Sequence, residues 1–230
     1  MMNIYLLVEG RRSEKKIYPQ WLSYLLPGLS QVRYFDEAKN HNFYLFSSNG
    51  YPSILDDIKN AAEDINSCGK YAYLVVCLDA DESTVEEKKE EIDEIFQQGS
   101  VELKAELVVI VQKRCFETWF LGNRKVFSRN PQDEIFREYC RFYNVSIKDP
   151  EMMPNFTGFN RIAQFHEDYL KRMLREKGIR YTKRNPGNVG ESHYIEALQK
   201  RTENNPGHLK SLRYFFQFCE AIHRILYQQT

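Results

Sequence analysis

The chain has 230 residues, five cysteines, and 32 Lys and Arg against 32 Asp and Glu. That length allows one large domain, or a domain with an appendage, around a sizeable core. No apolar run is long enough to span a membrane, nothing before the first strand reads as a signal peptide, and the odd, scattered cysteines lack metal-finger spacing, so a cytoplasmic, reducing location is expected.

The predicted elements run as follows. Asn3–Val8 is a short apolar run and reads as a first strand ending in Glu9-Gly10. Ser13 is expected to cap a helix that places Ile17, Trp21, Leu22, Leu25 and Leu26 on one face. Pro19 predicts a kink within it, and Pro27-Gly28 stops it. Residues 31–35 and 42–46 read as two further strands, and Ser48-Asn49-Gly50 as a turn. Residues 53–66 carry Ile54, Leu55, Ile58, Ala61, Ala62 and Ile65 at helical spacing. Residues 71–77 form a near-continuous apolar run, as in a strand covered by helices on both faces. Asp79 and Asp81 follow, in a segment expected to be extended, so that both carboxylates point the same way. The plainer reading of that pair is a loop aspartate and a helix cap. An acidic helix over 82–98 and a buried strand over 102–112 complete the alternation, which predicts an α/β fold with a mainly parallel sheet flanked by helices.

Beyond Lys113 the chain becomes basic, helical and rich in Tyr and Phe. Helices are predicted at 116–121, 132–143, 161–177, 191–202 and 209–227, with a loop over 148–160, and together they form a helical C-terminal extension packed on the sheet. Residues 1–112 carry 11 Lys and Arg against 19 Asp and Glu, and residues 113–230 carry 21 against 13. A cation-binding core joined to a polyanion-binding surface has this asymmetry, and so do two halves that neutralise each other across an interface.

Glu9, Asp79 and Asp81 all follow strands. In a parallel sheet those ends share one edge, where open α/β sheets place their sites. Anions held that close repel unless a cation lies between them, and hard oxygen ligands suit Mg²⁺ or Mn²⁺. Glu117 opens a short helix just past the last strand. It can reach the same edge, or be a surface acid complementing the helix dipole. Lys113 and Arg114 beside it, and Lys183 and Arg184 on the basic loop 180–190, are candidate phosphate contacts, with a solvated basic surface as the alternative. His193 is a candidate for proton transfer or a structural histidine. Tyr139, Phe142 and Tyr143 among Arg137 and Arg141 suit either a strand-stacking surface or core.

Glu9-Gly10, Asn49-Gly50 and Asp79-Ala80-Asp81, in this order after successive strands, resemble the Toprim domain, the metal-binding α/β module of topoisomerases, bacterial-type primases, ribosomal-RNA maturases and OLD-family nucleases. The resemblance covers about residues 3–125. Val8-Glu9-Gly10, Ser13-Glu14 and Glu117-Thr118-Trp119 bring the chain nearest to small stand-alone Toprim-like proteins of bacterial defence loci. It implies a Toprim-like (Rossmann-like) metal-binding domain over 1–125 and a basic helical extension over 126–230. It further implies Mg²⁺- or Mn²⁺-dependent cleavage of DNA or RNA in phage defence. Asp79 and Asp81 would be metal ligands, Glu9 a ligand or the general acid/base, Glu117 a further ligand, and Lys183 a catalytic contact. The alternative is a non-catalytic module that binds nucleic acid, nucleotide, or a partner ATPase or effector protein. A receiver-like use of Asp79 as phosphoacceptor would want paired acids after the first strand, where this chain has one glutamate and a glycine.

Overall fold

The structure is a computed structural model that describes residues 2–97 and 101–227. Its centre is a five-stranded, all-parallel sheet in the order β2-β3-β1-β4-β5. The strands are β1 (Asn3–Val8), β2 (Ser30–Val32), β3 (Asn42–Ser47), β4 (Tyr73–Asp79) and β5 (Glu106–Gln112). The helices are α1 (Glu14–Leu25), α2 (Ser53–Cys68), α3 (Val85–Gln97), α4 (Phe116–Phe120), α5 (Glu134–Phe142), α6 (Ile162–Arg175), α7 (Ser192–Asn204) and α8 (Lys210–Tyr227). The fold is therefore α/β, with helices on both faces and a helical C-terminal half. No helix among the described residues is long and apolar enough to cross a membrane.

Strand alternation builds two cores. Ile4, Leu6, Val8, Val75, Cys77, Val108 and Ile110 face one side, where they meet α1 and the helices α4 to α8. Tyr5, Leu7, Leu74, Val76, Leu78, Val109 and Val111 face the other, against α2 and α3. The first core is strongly aromatic. Trp21 of α1 lies 6.4 Å from Trp119 and 5.9 Å from Phe116, with Phe215 of α8 at 6.2 Å. The C-terminal helices thus share one core with the sheet.

Several elements differ from expectation. The second strand is shorter and earlier, because Phe35–Glu37 turns into a 3-10 helix closed by the Glu37 carboxylate on the Arg33 and Tyr34 amides. Ser13 does not cap α1 with its side chain; its own backbone is already helical. The strand expected over 71–77 runs from Tyr73 to Asp79, so Asp79 is its last residue. Asp81 is not in an extended segment. It takes a left-handed φ of +50° and gives its N–H to the Arg114 carbonyl at 2.7 Å. Arg114 is left-handed as well, at +79°. Neither aspartate caps α3: Thr84 and Glu87 do so reciprocally, at 3.1 and 2.7 Å. The expected end of that helix at Gln98 lies outside the described residues. The 148–160 loop contains a 3-10 turn, Pro150–Met152.

Candidate active site

The register aligns the carboxyl ends of the central strands. Val8 pairs with Ser47 on one side and Cys77 on the other, and Asp79 pairs with Gln112. Glu9 is the first residue past β1, next to the end of β4. Chain order reverses across β1 and β4, which is where an open parallel sheet leaves a crevice. Glu9 is fixed there by backbone. Its carboxylate accepts N–H bonds from Asp79 at 2.9 Å and Tyr51 at 3.2 Å, and its carbonyl accepts from Gly50 at 3.1 Å. Gly50 needs its freedom from a Cβ at φ +91°. The Asn49-Gly50 turn therefore serves to hold Glu9.

The structure adds Glu14, which the sequence shows only as part of the Ser13-Glu14 motif. It lies in the first turn of α1, is only 5% exposed, and has Oε1 buried with no partner. A Cβ on Gly10 would fall 1.8 Å from Glu14 Oε2. The glycine of the Glu9-Gly10 pair is thus the space that the Glu14 carboxylate occupies. The sequence signal was Ser13-Glu14 at a fixed distance from Glu9.

Asp79 brings a second buried carboxylate oxygen without a partner, Oδ1. Glu117, expected either at the site or on the surface, is 1% exposed. It accepts a hydrogen bond from the Tyr181 hydroxyl at 2.8 Å and faces Lys183 Nζ at 3.4 Å. Lys183 also lies 3.6 Å from Glu167 of α6. The loop that carries it is pinned to α1: Lys16 donates to the Arg184 carbonyl, and Trp21 Nε1 donates to the Val189 carbonyl at 3.1 Å. Gly190 leaves room for Gln20. Lys183 therefore lines this cleft between two carboxylates.

Two adjoining cavities make the cleft. One, of about 390 Å³, is lined by Glu9, Glu14, Asp79, Glu117, Lys183 and the exposed Arg11 and Arg12. The other, of about 550 Å³, shares Glu9 and Asp79 and adds Asp81, Lys88 and Arg161. Asp81 lies at the exposed mouth, facing Arg161, Lys183 and Lys88. Arg161 was not anticipated, because only the packing of α6 brings its first turn to the sheet edge.

The electrostatics follow from this crowding. Burial, then Glu9 and Glu117, push Glu14 up to about 8. Burial, then Glu14 and Glu9, hold Asp79 well above the carboxylate range. Glu9 is raised by burial, against the pull of the Asp79 and Tyr51 amides. Asp81 is raised by burial, against the pull of Arg161. Burial opposes the charge on Lys183, but Glu117 and Glu167 outweigh it and raise its pKa. These shifts all favour adding positive charge, as protons or as a cation.

The other candidates fall elsewhere. His193 is exposed and pairs with Glu191 at 3.3 Å. Tyr139 is core, its ring 5.0 Å from those of Phe156 and Phe165, with its hydroxyl on Asp168. Lys113 Nζ contacts Met152 Sδ, and Arg114 Nη1 donates to the Asp81 carbonyl at 3.3 Å.

The donor set is hard oxygen, and two of its buried atoms have no protein donor, which fits a divalent cation. Among the described residues, no three His, Cys, Asp or Glu side chains are already grouped as ligands of one ion. Comparison with protein-family models, with curated proteins and with solved structures gives no match for this chain.

Proposed function

We propose that this cleft is a divalent-cation site of a Toprim-like enzyme that cleaves phosphodiester bonds in nucleic acid, in the defence role that the motif resemblance suggests. The observation that carries the reading is the pair of unpartnered buried oxygens, Glu14 Oε1 and Asp79 Oδ1, at the carboxyl edge of the parallel sheet. Glu9, Glu14 and Asp79 would hold Mg²⁺ or Mn²⁺, with Asp81 and Glu117 as neighbours. When bound, such an ion supplies positive charge to offset that on the phosphate and the leaving oxygen. The chain's own residues complete the task. Arg11, Arg12, Lys88 and Arg161 around the carboxylates supply cations for the phosphate backbone. Glu14, raised to about 8 by burial and its acidic neighbours in the cation-free cleft, would give up its proton when the cation binds. Lys183 stays charged beside Glu117 and can meet a developing oxyanion.

The test uses wild type, Asp79→Asn and Glu14→Gln with DNA and RNA panels in Mg²⁺ or Mn²⁺, beside calorimetry of Mn²⁺ binding. Each substitution is expected to cut cleavage by about a hundredfold or more and to weaken Mn²⁺ binding, with the melting temperature in EDTA held or raised. Full cleavage by a folded Asp79→Asn variant overturns the mechanism. Absence of wild-type cleavage with intact Mn²⁺ binding would favour a module that binds nucleic acid, nucleotide or a partner ATPase.

A further inference from the structure

On the other side of the Asp81–Thr84 turn lies a cavity of about 650 Å³, between the turn after β4, the end of β5, the Pro150–Met152 turn and the start of α8. Its charges are unevenly committed. Of its four acids, three are taken by backbone donors. Glu82 accepts from Ile162 N–H at 3.0 Å, Asp149 from Leu209 N–H at 2.9 Å, and Glu151 from Ser211 N–H at 3.0 Å and Ser211 Oγ at 2.5 Å. Asp149 and Glu151 thereby cap the start of α8.

Its four cations are Lys89, Lys113, Arg114 and Lys210, and none is ion-paired with a carboxylate among the described residues. Lys89 lies over the Tyr214 ring at 4.9 Å from its centroid, Lys113 touches only a thioether with its ammonium, and Lys210 is exposed. Arg114 has Nε buried with no partner. The cavity's four cations are thus matched in number by its acids, but none forms an ion pair with one among the described residues. Beside them Tyr214 and Met152 are 41% and 59% exposed, the ring with Lys89 over one face and the thioether in contact with Lys113.

We propose that this cavity is a nucleotide subsite, taking a base against Tyr214 and Met152 and a phosphate among Lys113, Arg114 and Lys210. An aromatic face with unpaired cations is the combination that a base and its phosphate satisfy together, by stacking and by charge-assisted hydrogen bonds. A sugar phosphate would leave the ring unused, and an apolar ligand would leave the cations unused. The size suits one nucleotide. None of the residues proposed to hold the divalent cation contributes to this subsite, so it stands independently of cleavage. The ligand can be a free nucleotide or one residue of a strand that continues past Asp81 into the cleft.

Binding is measured on the full chain in EDTA, which separates it from the cation site. Calorimetry with adenosine monophosphate, adenosine and inorganic phosphate is run beside anisotropy with a labelled single-stranded oligonucleotide. Wild type is compared with Tyr214→Ala, Tyr214→Phe and Lys210→Glu, all checked by melting. Stacking contributions per base predict a loss of about 5- to 150-fold for Tyr214→Ala, with Tyr214→Phe near wild type. Lys210→Glu is expected to lose about tenfold or more at low salt and less at high salt. Monophosphate binding lost in these variants supports a free nucleotide, and oligonucleotide binding alone, lost in the same way, supports a strand. The proposal is overturned if neither binds, if the variants bind like wild type, or if phosphate alone binds as tightly as the monophosphate.

Discussion

At the residue scale the cleft is a set of carboxylates that the fold keeps from ionising freely. Glu14 is the sharpest case. Its ordinary value of 4.5 rises to about 8, so the folded chain keeps a proton that the unfolded chain has released. Stability is therefore lost as pH rises from about 4.5 through about 8. In EDTA the melting temperature is expected to fall between pH 6 and pH 8.5, and Glu14→Gln should flatten that slope by removing the ionisation. Added Mn²⁺ should raise the melting temperature more at pH 8 than at pH 6, because a cation competes with the proton. A pH-independent melting temperature in EDTA would contradict the burial of this charge. Glu9 and Asp79 were legible in the sequence because each directly ends a strand, a local relation that the apolar run displays. Glu14 was not assigned, because its place depends on α1 folding back over Gly10. Asp81 was legible as an acid but not in its backbone, since its left-handed turn is set by Arg114, 33 residues away.

At the element scale, buried polar side chains fix where the helices start and end. Arg201 of α7 is 2% exposed and has no carboxylate ion pair among the described residues. It donates instead to the carbonyls of Val145, Ser146 and Lys148 and meets His208 Nδ1 at 2.9 Å. It thus ties α7 to the segment that leads into Asp149 and the start of α8. Arg201→Met keeps most of the volume but strands those acceptors. The expected cost is about 2–4 kcal/mol, or a melting temperature lower by roughly 4–16 °C for a chain of this size, read by calorimetry. An unchanged melting temperature would remove Arg201 from this structural role. His166 acts similarly on α4. It spans the Thr118 hydroxyl at 2.8 Å and the Met153 carbonyl at 3.1 Å, and burial pushes it down to about 4, so it works as a neutral strut next to Glu117. The helices themselves could be read from periodicity and turn residues. Gly69, for example, ends α2 at φ +63° with its N–H on the Ile65 carbonyl. The buried polar ties were not legible, because an arginine bound to carbonyls and one in water look alike in sequence.

At the scale of the whole molecule the sheet and the C-terminal helices are one packed body on one side. Tyr73 of β4 meets Phe218 of α8 at 5.9 Å, and Trp119 stacks on Phe215 at 5.9 Å. A fragment of residues 1–125 would keep α1 and α4 but lose α8 from Trp21, Tyr73 and Trp119. It is expected to lack a cooperative thermal transition, while the full chain unfolds in a single one. A fragment that melts cooperatively would show that the sheet stands without the helices. The acid-to-base division along the chain was plain in the composition. The packing of Lys183 against Glu117 was not, because 66 residues separate them and only the pinning of the loop to α1 joins them.

That pinning has a consequence for synthesis. All the carboxylates of the cleft lie within the first 117 residues, whereas Arg161 and Lys183, two of the cations that face them, come much later. A growing chain that has reached residue 117 therefore carries Arg11, Arg12 and Lys88 beside these carboxylates but neither Arg161 nor Lys183. The cleft acquires these two counter-charges only once the last third of the polypeptide has folded onto α1. If the cleft cleaves nucleic acid as proposed, chains stalled on the ribosome at residue 150 are expected to show no Mn²⁺-dependent cleavage of added RNA or DNA, and released full-length chains are expected to show it. Order of translation would then act as a safety catch that needs no inhibitor protein.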